Sequence, residues 1–219
     1  IVRPGPYVCA EWEMGGLPWW LLKKKDVRLR EPDEFFMAAV DRFEAKVAEQ
    51  LAPLTIQQGG PIIMVQVENE YGSYGENKQY IAQIRDHLRK YWDKDGSKPT
   101  TLFQCDWNFN FEKNGLDDLV WTMNFGTGAN IDDQFRRLRQ LRPHTPLMCS
   151  EFWSGWFDKW GARHETRPAQ DMVNGIDEML SKGISFSLYM THGGTSFGHW
   201  AGANSPGFAP DVTSYDYDA

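Results

Sequence analysis

The chain has 219 residues, of which 41% are hydrophobic, and its formal net charge is −7. This length suffices for one domain with a large core. The acidic balance argues against nucleic acid or an anionic membrane surface as a partner. A membrane-spanning helix would need a window of about 18 apolar residues, and the sequence has none.

The sequence is rich in aromatic residues, with 10 Trp, 13 Phe and 8 Tyr. Such rings fill a bulky core, and their flat faces also stack on the apolar faces of sugars. Three cysteines, Cys9, Cys105 and Cys149, rule out complete pairing within this chain, so we interpret them as small buried hydrophobic residues. No His/Cys cluster has the spacing of a metal site, and we predict neither a metal nor another cofactor.

Short apolar segments alternate with helical patterns along the chain. We predict six strands, namely the end of a strand within residues 1–11 and the segments 62–67, 101–105, 120–125, 147–150 and 184–190. Four helices are predicted between them, one after Asp33, one over residues 77–92, one over residues 131–141 and one after Pro168.

Helical spacing also predicts which faces are buried. In the first helix the predicted face comprises Phe36, Val40, Phe43, Val47 and Leu51. In the fourth helix it comprises Met172, Val173, Ile176, Met179 and Leu180.

The alternation of strands and helices favours a parallel sheet with helical crossovers. A doubly wound sheet fits this pattern equally well. A barrel is favoured because polar residues follow many of the strands, and because no Gly-x-Gly-x-x-Gly follows the first strand. The predicted fold class is α/β, an incomplete (β/α)8 barrel with about six of its eight strands present.

Two of the predicted strands end in carboxylates. Glu68 and Glu70 follow the segment 62–67, and Glu151 follows the segment 147–150. A barrel presents its chemistry at the carboxyl ends of its strands. Retaining glycoside cleavage uses two carboxyl groups about 5 to 5.5 Å apart, one as nucleophile and one as acid and base. We therefore predict that Glu70 and Glu151 face each other across one sugar ring.

Strand alternation tests this assignment, since Gln66, Glu68 and Glu70 share one side and Asn69 points to the other. Asn69 reaches a substrate only if the backbone bulges or bends, so we predict an irregularity there. We predict that Glu68 is buried and paired, because an unpaired buried charge is costly. Glu70 alone would suggest a surface loop carboxylate, but the preceding apolar strand and the matching Glu151 argue against that reading.

Other short patterns carry less chemistry. His164 and Glu165 resemble part of a metalloprotease motif, but no second His follows at helical spacing. Residues 193–195 lack the ending of a phosphate-binding loop, and no Gly-x-Ser-x-Gly elbow is present. Asp106 and Trp107 follow a strand and occupy a rim position that a substrate can touch.

Six blocks of the sequence resemble the signature blocks of glycoside hydrolase family 35, which consists mainly of β-galactosidases. They cover residues 3–12, 15–18, 66–72, 150–156, 193–198 and 213–219, in the family's order and over essentially the whole chain. The longest are RPGPYVCAEW, QVENEYG and SEFWSGW. The resemblance implies a (β/α)8 barrel and a retaining double displacement on terminal β-linked galactose.

The resemblance also implies a role for individual residues. Glu70 matches the family's acid/base at the end of strand four, and Glu151 matches its nucleophile at the end of strand seven. Four positions match residues that hydrogen-bond galactose, and a fifth matches an aromatic residue lining the pocket. These are Ala10 (through its backbone), Glu11, Asn69 and Tyr217, followed by Trp156.

The chain departs from the family at its ends. We expect residues 1–219 to be a partial catalytic barrel holding strands 3 to 8, without the first two strands and without the β-sandwich domains that follow in the family. Such a fragment would have an open barrel edge, a hazard for aggregation, and poor activity alone. We expect a bacterial source. The location is left open, since a bacterial protein of this family would be exported to the periplasm or the medium and an animal one would be lysosomal.

Two alternative functions stay open. The first is a non-catalytic carbohydrate-binding barrel, and the second is a related exo-glycosidase that acts on another β-linked sugar. The predicted partner is a galactoside or a galactose-terminated oligosaccharide, with no nucleic acid and no membrane. The linkage, the natural glycan and the oligomeric state are left open.

Overall fold

The computed structural model describes residues 1–93 and 98–217. The chain forms two compact units. The first unit comprises Ile1–Val8 and Leu17–Trp121, and the second comprises Cys9–Gly16 and Thr122–Ala219. Asp218 and Ala219, which end the last block of the family resemblance, lie outside the described residues.

The strands of the first unit are parallel. Strand β1 (Val65–Gln66) pairs with β2 (Leu102–Asp106), with Val65 opposite Leu102. Val2 forms an isolated parallel bridge to Val65, which is all that is formed of the strand end predicted within residues 1–11. Strand β1 is shorter than the predicted segment 62–67, because Ile62 bridges Thr55 instead.

Two helices of the first unit lie where the sequence predicts them. Helix α1 (Glu34–Leu51) begins after Asp33, whose side chain accepts a hydrogen bond from the backbone N–H of Phe36 at 3.0 Å. Helix α2 (Lys78–Trp92) begins after Asn77, which accepts from two backbone N–H groups in the same way. These caps satisfy donors that the first helical turn leaves unpaired.

The buried face of α1 differs from the prediction. Phe43 is 47% exposed, whereas Glu44 is fully buried. The reason is a contact with α2, since a carboxylate oxygen of Glu44 lies 3.1 Å from His87 Nδ1. Because of this contact Glu44 faces α2, whereas Phe43, one residue earlier, faces solvent. The buried residues of α1 are Phe36, Met37, Val40, Glu44 and Ala48.

The second unit continues the alternation of strands and helices. Strand β3 (Val120–Gly126) begins at the end of the first unit and continues here, followed by α3 (Ile131–Leu141) and β4 (Met148–Trp153). Helix α4 (Ala169–Ser181) then leads to β5 (Ser185–Tyr189). Strand β4 pairs in parallel with both β3 and β5.

The fourth helix is less buried than predicted. Met179 is fully buried, but Val173 and Leu180 are 50% and 61% exposed. The predicted apolar face of α4 is therefore only partly covered within its own unit. An antiparallel pair that the sequence did not predict, β6 (Ala203–Asn204) and β7 (Ala209–Pro210), completes this unit.

Short 3₁₀ helices connect these elements, at Glu13–Gly16, Trp19–Lys23, Ala52–Leu54, Ile56–Gln58, Tyr71–Ser73 and Phe111–Lys113. Parallel strands linked by helices make the chain an α/β protein, as predicted. Within the described residues, none of the helices combines the length and the apolar character that crossing a membrane requires.

Candidate active site

The backbone turns sharply after β1. Strand β1 ends at Gln66, and Glu68 and Glu70 adopt left-handed conformations with φ of 56° and 47°. The predicted irregularity at Asn69 is confirmed, since the residues on both sides of Asn69 are left-handed. Left-handed non-glycine residues cost of the order of 1–3 kcal/mol and persist only where their surroundings hold them. The predicted alternation is wrong beyond Gln66, because these conformations interrupt the pleat.

The side chain of Asn69 is buried and held by three donors. Its Oδ1 accepts hydrogen bonds from Arg3 Nη2 at 2.7 Å, from Gln66 Nε2 at 3.0 Å and from Cys105 Sγ at 3.6 Å. Arg3 is fixed in turn by donating through Nε to Gln66 Oε1 at 2.8 Å. The oxygen of Asn69 is therefore occupied, and its NH₂ group is the part of the side chain left to donate to a ligand.

Glu68 is the buried, paired carboxylate that the sequence predicts. Arg30 donates to both of its oxygens at 2.8 Å, and the Tyr80 hydroxyl donates at 3.0 Å. A second contact to Oε2 comes from the backbone N–H of Asn69 at 2.6 Å. Both side chains of the ion pair are nearly inaccessible, at 7% for Arg30 and 1% for Glu68. With so many donors, Glu68 serves as a support rather than as a reacting group.

Arg30 connects this carboxylate to the turn itself. Its Nη2 donates to the backbone carbonyl of Asn69 at 2.8 Å. Its guanidinium group lies 3.7 Å from the ring centre of Tyr7 and 4.3 Å from that of Tyr74. Planar stacking of this kind suits guanidinium and fixes the orientation of its donors.

Asp106, at the end of β2, holds the far side of the same turn. It is buried, and its carboxylate accepts from the backbone N–H of Gly72 at 2.7 Å and from that of Trp107 at 2.9 Å. Burial raises the pKa of Asp106 to about 6, against the lowering effect of these two donors. The predicted rim residue is thus an anchor for the segment that follows Glu70.

In the second unit, Glu151 lies on β4 and is buried. The indole N–H of Trp153 donates to Glu151 Oε2 at 2.9 Å, and Cys149 Sγ donates to the Glu151 carbonyl at 3.2 Å. The register between β4 and β5 shifts between Cys149 and Phe152. Such irregularities re-aim a side chain at the end of a strand.

Glu11 belongs to the same unit and has an unusual environment. Residues Cys9, Ala10 and Glu11 are all left-handed, with φ of 63°, 56° and 42°. Burial raises the pKa of Glu11 to about 7; hydrogen bonds from Tyr215 and Asn204 oppose this, while the charges of Asp211 and Glu151 add to it. Glu11 and Glu151 are therefore close enough to interact, and Ala10 lies in the strained segment beside them.

Aromatic residues complete this cluster. The ring of Trp156 lies 5.5 Å from that of Trp153 and 6.3 Å from that of Tyr217, measured between centroids. Gly155 permits the approach of Tyr217, since a Cβ there would lie 2.7 Å from Tyr217 Cβ. The second unit thus gathers the predicted residues Ala10, Glu11, Glu151, Trp156 and Tyr217. The other two, Asn69 and Glu70, belong to the first unit.

Several residues that support this arrangement have no role predicted from the sequence. Arg30 lies outside every block of the family resemblance and offers no local signal. Trp153 and Tyr215 lie within two of the blocks, and for Trp153 the nearby candidate carboxylate Glu151 was the available signal. Among residues 1–93 and 98–217, no three His, Cys, Asp or Glu side chains are grouped so that they could hold a metal ion.

The cysteines have a more specific role than predicted. Cys105 and Cys149 are buried, as expected, while Cys9 is half-buried. Both buried thiols donate weak hydrogen bonds, Cys105 to Asn69 and Cys149 to the backbone of Glu151. They therefore pack directly beside two candidate site residues.

Parallel strands alternate with helices, and carboxylates follow β1 and lie on β4, an arrangement typical of glycoside hydrolases of the α/β class. The chain belongs to the glycosyl hydrolases family 35, whose family model matches residues 1–219. This confirms the resemblance and the predicted fold class, an incomplete (β/α)8 barrel.

Curated relatives agree with the family. The chain is 46% identical over 222 residues to "Beta-galactosidase" of Homo sapiens, and 43% identical over 220 residues to "Beta-galactosidase-1-like protein" of Mus musculus. Each alignment covers 100% of this chain but only 32% and 34% of the relative. The chain therefore spans about a third of the length of the relatives it matches. These relatives are mammalian and give no support to the expected bacterial source.

The fold is also similar to that of a solved endo-1,4-beta-xylanase from Caldicellulosiruptor owensensis. The TM-score is 0.48 at 14% identity, covering 78% of this chain and 61% of that chain.

Proposed function

We propose that the protein is a retaining β-galactosidase that hydrolyses terminal, non-reducing β-D-galactosyl residues. The observation that carries this proposal is the setting of Glu151 on β4, oriented by the Trp153 indole and close to Glu11 and Tyr217, in a chain of family 35. The names of the mammalian relatives support galactose as the sugar.

In the first proposed step, a carboxylate oxygen of Glu151 bonds to the anomeric carbon while the glycosidic C–O bond breaks. Glu70 gives its proton to the departing oxygen, so the leaving group departs as a neutral alcohol. In the second step Glu70 takes a proton from water, the water oxygen attacks the anomeric carbon, and Glu151 departs. Two inversions at one carbon give net retention.

The remaining site residues are proposed to hold the sugar. Asn69 offers its NH₂ group, because its oxygen is occupied by three donors. Glu11 and the backbone of Ala10 offer hydrogen bonds from the strained segment, and Tyr217 offers its hydroxyl. Trp156 offers a ring face for the apolar side of galactose. In family numbering, β1 and β4 would be barrel strands four and seven.

The decisive experiment uses the full-length protein and a panel of aryl glycosides that differ in the sugar. We expect hydrolysis of the β-galactoside, with the β-anomer formed first by NMR, and a covalent adduct on Glu151 with a fluorinated galactoside. Glu151→Gln should abolish turnover and adduct formation. If the protein hydrolyses the glycoside of another sugar faster than the β-galactoside, that sugar and not galactose is the substrate. Binding of the fluorinated galactoside without any adduct would indicate a carbohydrate-binding barrel.

A further inference from the structure

The loop that follows β2 lies directly against the turn that carries Glu70. Asp106 accepts from the Gly72 N–H at 2.7 Å, and Asn110 Nδ2 donates to Ser73 Oγ at 3.0 Å. The two segments are in close contact at Gly72, where a Cβ would lie 2.6 Å from the Asn110 carbonyl oxygen. The loop and the turn are therefore tied together inside the first unit.

This loop carries two aromatic rings beside the turn. Phe109 is 70% exposed, whereas Trp107 is half-buried, and their ring centroids are 5.8 Å apart with an interplanar angle of 50°. The backbone N–H of Trp107 is held by Asp106, so the base of the pair is fixed. A large exposed aromatic ring on a fixed loop is a surface that a ligand can cover.

The acid/base role of Glu70 indicates which part of a bound substrate lies beside that turn. Glu70 must reach the glycosidic oxygen, so the leaving group, rather than the galactose, is the part of the substrate on its outer side. An aromatic face carries partial negative charge and attracts the C–H groups on the apolar face of a pyranose. Asn108, which is half-buried, lies between the two rings in the sequence and adds an amide group that suits sugar hydroxyls.

We propose that Trp107 and Phe109 form a platform for the leaving group of the galactoside, and that this leaving group is a second pyranose ring. The inference rests on the proposed galactosidase activity and deepens it, since it makes the protein selective for galactose joined to another sugar. Phe109 supplies the ring face that the sugar covers, and the ring of Trp107 packs against Phe109 at the start of the loop.

The test compares two substrates that differ only in what leaves. One is a disaccharide with terminal β-linked galactose, and the other is β-galactosyl fluoride, whose leaving group is too small to reach the platform. In the full-length protein, Phe109→Ala should lower kcat/KM for the disaccharide roughly 3- to 10-fold, the range expected for one aromatic stacking contact, and leave the fluoride unchanged. Phe109→Tyr should retain the wild-type value for both.

Phe43→Ala is the matched control, because Phe43 is another exposed phenylalanine of the same unit and lies on α1. Phe43→Ala should leave kcat/KM unchanged for both substrates. Equal losses on the two substrates with Phe109→Ala, or no loss on the disaccharide, would overturn the platform while leaving the galactosidase intact. If the wild-type protein cleaves neither substrate, the proposed activity itself fails and the platform falls with it.

Discussion

Arg30 and Glu68 form a two-point ion pair, with Nε to Oε1 and Nη2 to Oε2 both at 2.8 Å. The same two side chains hold both polar groups of the Asn69 backbone, its N–H through Glu68 at 2.6 Å and its C=O through Arg30 at 2.8 Å. Asn69 immediately precedes the candidate acid/base. The pair therefore holds the left-handed turn in a conformation that its residues would not adopt alone.

Removing Arg30 should unfold or severely destabilise the first unit. Arg30→Ala leaves a buried, unpaired carboxylate, and breaking a buried ion pair in this way costs about 3–5 kcal/mol. The free energy of unfolding, from denaturant titration, measures the loss. Lys46→Ala is the control, since it breaks the exposed pair with Glu49 and should cost less than about 1 kcal/mol. Similar costs for both variants would contradict the role of the Arg30 pair.

Replacing Glu70 should affect substrates according to their leaving groups. Glu70→Ala removes the proton donor, so glycosylation should slow most for poor leaving groups and least for activated aryl galactosides. Azide should partly restore turnover, because it can attack the galactosyl intermediate without a general base. Steady-state kinetics over a series of leaving-group pKa values tests this. If the rate falls by the same factor for every leaving group in the series, Glu70 is not the acid/base.

Galactose binding should weaken as the pH rises through about 7. Burial raises the pKa of Glu11 to about 7, so Glu11 is neutral below that pH and ionised above it. Ionisation places a second negative charge beside Glu151, in a site from which a bound sugar displaces water. Calorimetric titration with galactose measures the effect, over a range from about pH 5 to about pH 9 that spans the ionisation of Glu11.

Glu11→Gln should bind galactose with an affinity that no longer changes across this range. Glu165→Gln, at an exposed position of the same unit, should retain the wild-type pH dependence. If the Glu11 variant keeps the wild-type slope, another group is responsible for the transition.

The contact between α1 and α2 should make folding stability depend on pH. Burial raises the pKa of Glu44 to about 7, against the opposing hydrogen bond and charge of His87, and Glu44 Oε1 has no hydrogen-bond partner among the described residues. The hydrogen bond with Glu44 raises the pKa of His87. Glu44 binds its proton more tightly in the folded state, so its contribution is complete below pH 4.5, its ordinary pKa, and is lost as the pH rises through about 7. The contribution of His87 is lost in the same direction, as the pH rises through its raised pKa.

Glu44→Gln should flatten this decline, as measured by urea titration at several pH values. Asp41 also faces His87, but hydrogen bonds from Tyr91 and Lys90 outweigh its burial and lower its pKa. Its own contribution is therefore lost only below its ordinary pKa of 3.8, outside the window of Glu44. An unchanged decline in the Glu44 variant would show that another group dominates.

Local patterns in the sequence determined much of the fold. Asp33 caps its helix as predicted, because a cap needs only a side chain and the backbone N–H groups two or three residues further on. The predicted start of the second helix, at residue 77, is also a cap, Asn77. Strands β2, β3 and β5 fall within one residue of the predicted segments, since apolar runs bounded by turns are also local signals. Strand β4 ends three residues later than predicted, at Trp153. The predicted bend at Asn69 followed from strand alternation together with the expectation that Asn69 reaches a substrate.

Only the tertiary structure decided which distant groups meet. Arg30 and Glu68 are 38 residues apart, and no periodicity links them. The inward position of Glu44 depends on His87 of another helix, which overrides the apolar spacing that favoured Phe43. Short-range rules describe the conformation of a few consecutive residues, whereas the pairing of buried charges depends on which loops pack together once the whole chain has folded.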